Sequence, residues 1–559
     1  TFLLRQLSSL PETGSPSLGD ALKHAARFAP ESELATLVGF MRARFAARTD
    51  FQLALFQSVD QGLRQRGVTP PVAVREWGAE LVAKLLVVEG GSGWVNLAVD
   101  AAPTENPWGF QERRRSDGKT LHALSSIPQG EGLTGTLRSP VFTAGATLSF
   151  WLCGHDGYPD RPAQNKNAVL LRDAQGGGVL HQAAPPRNDV AQQIVWDTKA
   201  EQGRQVSLEF TDADTGDAYA WIAFGDLEGG PALPAVSPRA MAERTAGAAE
   251  LASRLGMKEI VPRLKELARQ PGDPDARAAA GKGLAGLDAA EAVAVLGPLL
   301  ADGSQPLSVR ERFGVTLVEM NSAAGRAPVL AAIRAMPYRV QQRWAVPLCA
   351  TRDGADAFLT AIEQGDASPR ILQTASARGR LQRANPPDWQ ARFEKLTKDL
   401  QPMDEVRVNL ITTRINGFHS GAASSAEGQR VFEVHCAACH QIDGKGGLVG
   451  PQLTGIGDRG VERLTEDILD PNRNVDRAFR QTVITLKDGE VQTGLFRREE
   501  GELLVFADAT GKEFPLKASE VAERRESDQS LMPESFGETL TPADFNKLLA
   551  YLLTQRGKK

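Results

Sequence analysis

Cysteine is scarce: the 559 residues contain four. Cys153 and Cys349 stand far from each other and from the remaining two, so a zinc site built from two cysteine pairs is not available. Both are expected to be buried free thiols. Charge of one sign is lacking as well. The 64 Lys and Arg against 69 Asp and Glu leave a net charge of −5, which argues against a nucleic-acid binder or a basic membrane-surface protein. No apolar run is long enough to span a bilayer. No signal peptide is visible and residue 1 is threonine, so the expectation is a processed product or a piece of a longer chain. A dinucleotide-binding glycine loop, a nucleophile–base pair and a propeller repeat are also missing. The length is too great for one core, and about three to five domains is a fair expectation.

The two remaining cysteines stand in Cys436-Ala-Ala-Cys439-His440. C-x-x-C-H is the attachment signature of c-type haem: the two thiols reach the vinyl edges of a porphyrin and the imidazole takes the iron. A redox dithiol usually opens a helix inside a βαβ pattern, and none surrounds residue 436. Haem is attached to this motif outside the bacterial cytoplasm, so the motif itself implies an exported, periplasmic location. A single motif implies a single haem and argues against a di-haem peroxidase.

The flanks agree. SSAEGQRVFEVH carries a helix-start signal before Val431 and Val434. GKGGLVGPQLTGIGDRG suits a loop packed on a flat ligand. In LTPADFNKLLAYLLTQ, Thr541 caps, Pro542 takes the first helical position, and Phe545, Leu548, Leu549 and Leu552 form an apolar stripe. These residues resemble the class I cytochrome c family, in which the first and last helices cross beside the haem. Gly428 and Phe432 match the small and aromatic positions of the first helix, and Tyr551 the aromatic of the last. The resemblance implies that the Pro451 carbonyl accepts a hydrogen bond from the far nitrogen of His440, fixing its orientation, and that Pro451 and Leu453 belong to the haem-binding residues.

Iron needs a second axial ligand. Beyond residue 440 there is no further histidine and one methionine, Met532, in SDQSLMPESF. It is the soft ligand available there, and a His/Met pair is a known haem arrangement; the rival reading is a methionine filling a core gap. His435 and His419 are the alternatives, both expected to be solvent-exposed. From His440 to Met532 is 92 positions, which reads as an inserted module. It contains a helical piece, GVERLTEDILDPNRNV, then strands TVITL, VQTGLF, LLVFAD and KEFPL with turns at Asp488-Gly489 and Thr510-Gly511. This is an antiparallel β meander inserted at about 480–517. With VGPQLTGIG and SLMPES, the pattern resembles the haem-binding domains appended to large periplasmic dehydrogenases of planctomycete- and verrucomicrobium-type bacteria.

The rest of the chain divides by periodicity. Residues 1–88 carry amphipathic helices such as ELATLVGFMRARFA and FQLALFQSVDQGLRQRG, suggesting a helical repeat-like domain. Residues 89–231 turn to short strands without intervening helices, suggesting a jelly-roll-type β-sandwich. In TLSFWLC, Leu148, Phe150 and Leu152 point one way and Ser149, Trp151 and Cys153 the other. Five of the eight tryptophans lie here: Trp94, Trp108, Trp151, Trp196 and Trp221. They either fill the sandwich core, the favoured reading, or form a carbohydrate-binding face with neighbours such as His155, Asp156, Arg187, Asn188 and Asp189. TDADTGD at 211–217 lacks a full calcium-ligand series and reads as a hairpin turn. Residues 236–402 return to helices with HEAT-like features, Arg277 and Arg310 recurring 33 positions apart. QRANPPDWQ and DLQPMDEVR read as linkers into a cytochrome domain at 403–559.

The expected fold is therefore multidomain α+β: HEAT-like helical repeats, a jelly-roll-type β-sandwich and a C-terminal all-α cytochrome c domain with an inserted β meander. The expected function is electron transfer by one haem c held by His440 and Met532, with a redox protein or a dehydrogenase domain as partner. Two other readings remain open. The chain resembles the C-terminal half of a quinoprotein-type dehydrogenase, or it is a carbohydrate-binding module with an attached cytochrome.

Overall fold

The structure is a computed structural model that describes residues 16–86, 93–99, 105–216, 218–398, 400, 404–418 and 425–557. It is mixed α+β and divides into two compact units, Thr1–Val295 and Leu296–Lys559.

The first unit opens with helices α1 (Pro16–Phe28), α2 (Glu31–Arg44), α3 (Thr49–Arg66) and α4 (Val72–Leu86). Their apolar stripes close over one core, in which Phe56 and Trp77 meet edge to face at 5.3 Å. That core does not end with α4. Ala248, Leu251 and Ala252, on α5 (Pro238–Leu255), belong to it, and Arg244 of α5 pairs with Asp50 of α3 at 2.5 Å. Helices α6 (Val261–Arg269) and α7 (Pro274–Leu287) follow. Asp273 caps α7 through the Asp275 and Ala276 amides, with Pro274 as its first residue.

Between α4 and α5 the described residues make eleven strands in two antiparallel sheets. One sheet has the order β1 (Val95–Leu97), β4 (Gly135–Arg138), β10 (Gln205–Asp212), β7 (Ala168–Asp173), β8 (Val179–Ala183), with β5 (Phe142–Thr143) also on β10. The other runs β2 (Gly109–Arg114), β3 (Thr120–Ser125), β11 (Ala220–Glu228), β6 (Thr147–Asp156), β9 (Asn188–Asp197). Period-two alternation sends Leu148, Phe150 and Leu152 of β6 into a core with Val169, Leu208, Phe210 and Phe224. Trp151 and Cys153 join a second cluster on the opposite face, with Leu121, Ala123, Ala191, Trp221 and Ala223. The segment 213–216 links β10 to β11, which lie in different sheets. It is a crossing between sheets and not the hairpin its glycine and aspartates suggested; Asp217 lies outside the described residues.

Helix α8 (Ala289–Ala301) contains the division between the units. The second unit continues with α9 (Leu307–Glu319), α10 (Ala323–Ala332), α11 (Tyr338–Leu348), α12 (Arg352–Glu363), α13 (Ala375–Ala384), α14 (Trp389–Thr397) and α15 (Glu405–Asn416). Part of QRANPPDWQ is thus already helix, since Trp389 opens α14. Arg277 and Arg310 play the same part in their own surroundings. Each is buried, and each Nε donates to a carbonyl of the preceding helix, Ala268 at 3.1 Å and Leu300 at 2.9 Å.

The C-terminal region is built from α16 (Ser425–His435), a two-residue pairing of β12 (Gln441–Ile442) with β13 (Lys445–Gly446), α17 (Gly460–Leu469), a five-stranded sheet, the short α18 (Phe536–Thr539) and α19 (Pro542–Thr554). The sheet has the order β17 (Glu513–Lys517), β16 (Leu503–Ala507), β15 (Val491–Glu500), β14 (Arg480–Leu486), β18 (Val521–Ser530). The meander therefore runs on past residue 517: β18 returns to pair with β14, the first strand. Helix α17 is two-sided. Leu464, Ile468 and Leu469 enter the apolar core of this region. Its polar face meets a buried ionic layer in which Glu462 pairs with Arg339 at 2.8 Å and Glu466 with Arg473 at 2.7 Å, and Arg370 joins Asp470 just beyond the helix at 2.6 Å. A charge withdrawn from water persists only where it is paired in this way.

Candidate haem site

Helices α16 and α19 cross at Gly428. A Cβ there would fall 1.9 Å from the Lys547 carbonyl oxygen and 2.8 Å from the Tyr551 Cβ, so any larger residue forces the helices apart. Phe432 and Tyr551 meet beside the crossing with ring centroids 5.6 Å apart. Thr541 caps α19 by accepting from the Asp544 amide at 3.1 Å. The helix then buries Phe545, Leu548, Leu549 and Leu552, the stripe that its sequence spacing predicts.

The motif follows directly from the end of α16. The Cys436 and Ala437 amides both donate to the Phe432 carbonyl, and the His440 amide donates to the Cys436 carbonyl at 2.9 Å. Cys436, Cys439 and His440 are half-buried. Burial pushes the Cys436 thiol up to about 12, with Cys439 adding to it. Burial also raises Cys439, with Asp508 contributing. Burial lowers His440 below its usual 6.5, the hydrogen bond to Pro451 opposing it. The imidazole is therefore neutral at neutral pH, the form that ligates a metal.

His440 Nδ1 donates to the Pro451 carbonyl at 2.8 Å, which leaves Nε2 as the nitrogen for a metal. Behind the ring lies Gly450, where a Cβ would stand 2.6 Å from the His440 Cε1. The Gly447 and Gly450 amides donate to the Ala437 and Cys439 carbonyls, both at 2.8 Å, wrapping the glycine-rich loop around the motif. Leu453 donates its amide to the Gln441 carbonyl at 2.8 Å.

Met532 lies in the irregular stretch after β18. It packs, half-buried, against the same apolar core as Cys436, Ala437 and Leu453. Its amide donates to Ser530 Oγ at 3.0 Å, and the Ser530 amide donates to Asn472 Oδ1 at 2.7 Å. His435 is exposed, and His419 lies outside the described residues. The structure thus brings Cys436, Leu453 and Met532 to one cluster and His440 to Pro451. Sequence reasoning missed Asn472 and Ser530, whose side chains hold the methionine segment. It also missed that the β16–β17 turn reaches the motif. Gly511 there has φ +84°, and a Cβ on it would lie 2.8 Å from the Ala438 carbonyl oxygen and 3.7 Å from Cys439 Sγ. The Thr510-Gly511 pair announces the turn but not its target.

These residues fit a covalently attached porphyrin: two thiols at the required spacing, an imidazole with one nitrogen already engaged, a glycine where a side chain would strike the ring, and an apolar cluster holding a thioether. A family model described as Cytochrome c matches residues 425–485. The match supports a c-type cytochrome domain here. It implies covalently bound haem c and supports a haem-based electron-transfer role. No curated protein matches the chain. Similar solved structures include the C-terminal extracellular domain of Mycobacterium tuberculosis EmbC, at 15% identity over 28% of this chain and 71% of that one, with a TM-score of 0.15. A second is the Clostridium perfringens ZmpB structure of CBM51-2 in complex with GlcNAc and INT domains, at 8% identity over 76% and 82%, also with a TM-score of 0.15. Similarity at that level bears on neither fold nor function.

Among the described residues no helix is long and apolar enough to cross a membrane. Cys153 and Cys349 are buried and unbonded, and burial pushes each thiol up to about 12, which makes them unreactive.

Proposed function

We propose that the chain is a periplasmic, mono-haem c-type cytochrome that relays electrons from a dehydrogenase partner or a preceding domain. Cys436 and Cys439 would form the thioethers, and His440 Nε2 and the Met532 sulfur the axial pair, with Pro451 and Leu453 lining the site. When bound, haem c supplies a one-electron couple. The chain's own residues do the rest. The Pro451 carbonyl holds the His440 tautomer, the Asn472–Ser530 relay orients the backbone at Met532, and a thioether ligand favours reduced iron over a second imidazole. The observation that carries this reading is the 2.8 Å bond from Nδ1 to Pro451, because it leaves a single nitrogen free.

The same proposal takes residues 1–88, 89–231, 236–402 and 403–559 as its domains, with HEAT-like repeats and a jelly-roll-type sandwich positioning the cytochrome. The matching roles of Arg277 and Arg310 support the repeat reading. A carbohydrate ligand at the sandwich is a separate proposal that rests on different residues.

The test is a reduced-minus-oxidised visible spectrum of protein made where haem is attached, repeated on Met532→Ala. A low-spin haem c spectrum whose thioether-to-iron band vanishes in the variant is expected. Survival of that band would overturn the assignment of Met532.

A further inference from the structure

Two of the chain's four tyrosines, Tyr158 and Tyr219, stand side by side at one end of the β2–β3–β11–β6–β9 sheet. Their ring centroids are 5.3 Å apart and both rings face solvent, Tyr158 at 38% and Tyr219 at 40% exposure. The tryptophans are not available in this way. Trp94, Trp108 and Trp196 lie in the core between the sheets. Trp151 and Trp221 lie under the guanidinium groups of Arg115 and Arg113, at 3.9 and 4.1 Å. Among the described residues of the two sheets, the exposed aromatic pair is Tyr158 and Tyr219, with the Arg161 guanidinium 4.9 Å from the Tyr158 ring centroid.

The backbone is strained to present it. Tyr219 has φ 58°, Arg187 φ 56° and Asn165 φ 57°, a region that side-chain-bearing residues rarely enter and that clusters at functional sites. All three are tied to one short stretch. Gly157 donates to the Tyr219 carbonyl at 2.9 Å, Asn165 to Asp156 at 2.5 Å, and Arg187 to the Tyr158 and Arg161 carbonyls. Beside the pair lies His155, whose ring is 4.9 Å from that of Tyr219. It is 4% exposed, yet neither ring nitrogen has a hydrogen-bond partner. Its Nε2 lies 3.4 Å from Asp189 Oδ1, near but not in bonding geometry, and Asp189 is open to solvent. Both His155 nitrogens lie beneath the surface, so the exposed polar group at this end is the Asp189 carboxylate.

We propose that this end of the sheet binds a neutral glycan, one pyranose ring lying on Tyr158 and Tyr219 with adjacent hydroxyls bonded to the exposed Asp189 carboxylate. A sugar ring offers an apolar C–H face to aromatics and hydroxyls that donate to a carboxylate. The exposed Asp189 carboxylate disfavours a uronate, which would bring like charge against it. The inference shares no residue with the haem reading, so either can fail alone.

The test is calorimetric titration of the full haem-loaded chain with cellohexaose, mannohexaose, xylohexaose and a galacturonate hexamer. Binding of at least one neutral probe is expected. Tyr158→Ala, Tyr219→Gly (which keeps the left-handed backbone) and Asp189→Asn should each weaken it by about tenfold or more, with far-UV circular dichroism and haem spectrum unchanged. No heat from any neutral probe, binding of the galacturonate alone, or affinity preserved in the Tyr158→Ala/Tyr219→Gly double variant would each overturn the proposal. So would full affinity in Asp189→Asn.

Discussion

The haem region and the tyrosine end of the β-region are both assembled around a histidine, and they differ in how the chain reaches it. At His440 the attaching groups are contiguous, because thioether formation on two vinyl groups and ligation by the adjacent imidazole demand fixed spacing. At His155 the surroundings come from three stretches: Tyr158 three positions on, Arg187 and Asp189 together, and Tyr219. One histidine already has a backbone partner at 2.8 Å and one nitrogen to spare; the other has no hydrogen bond at all. Covalent attachment demands a contiguous signature in sequence, whereas the surroundings of His155 are gathered by the sheet.

That contrast can be broken most severely at the cysteines. Cys436→Ala/Cys439→Ala is expected to abolish covalent haem entirely, read as loss of the added mass in intact-protein mass spectrometry, while glycan binding at Tyr158 and Tyr219 persists. Retained haem mass would show that attachment lies elsewhere. A smaller effect separates the two faces of the β-region. Phe224, fully buried and stacked on Phe210, should cost about 3–5 kcal/mol when changed to Ala, whereas Tyr219→Gly should stay within about 0.5 kcal/mol. Denaturant titrations followed by tryptophan fluorescence measure both; equal losses would mean that Tyr219 is a packing residue.

The mildest effect is one of pH and concerns the ionic layer on α17. Burial first, then Glu466 and Glu311 against Arg339, holds the Glu462 carboxyl up at about 7, from an ordinary 4.5. A raised carboxyl favours the fold while protonated, so its contribution is full below about pH 4.5 and lost as pH rises through about 7. Melting temperature should therefore fall between pH 5 and 8 more in the wild type than in Glu462→Gln, measured by the haem or far-UV signal. Parallel curves would show that Glu462 does not titrate in that window.

Much of this was legible in advance because it rests on local rules. Thr541-Pro542 starts a helix, Asp488-Gly489 turns a hairpin, and the alternation in β6 sorts Phe150 from Trp151. What escaped has a physical reason. Strand β18, VAERRESDQS, is almost wholly exposed, so no alternation marks it and its pairing with β14 is set by the sheet. Strand β2, GFQERR, carries charged and amide side chains with few apolar ones. The segment 213–216 looks like a hairpin because turn residues do not encode which sheet the next strand will join. Elimination singled out Met532 as the candidate ligand but gave no sign of Asn472 and Ser530, since hydrogen bonds between distant residues have no sequence period.

The indole Nε1 of Trp94 donates to the Ala232 carbonyl at 2.9 Å, so the eleven-strand segment is stapled shut where it enters and leaves. On either side of that staple, α4 and α5 already share a core without help from the strands. The β-region is thus a plug-in: a short bridge from Leu86 to Pro238 should let the helices close ranks, and the excised piece would carry its own clasp.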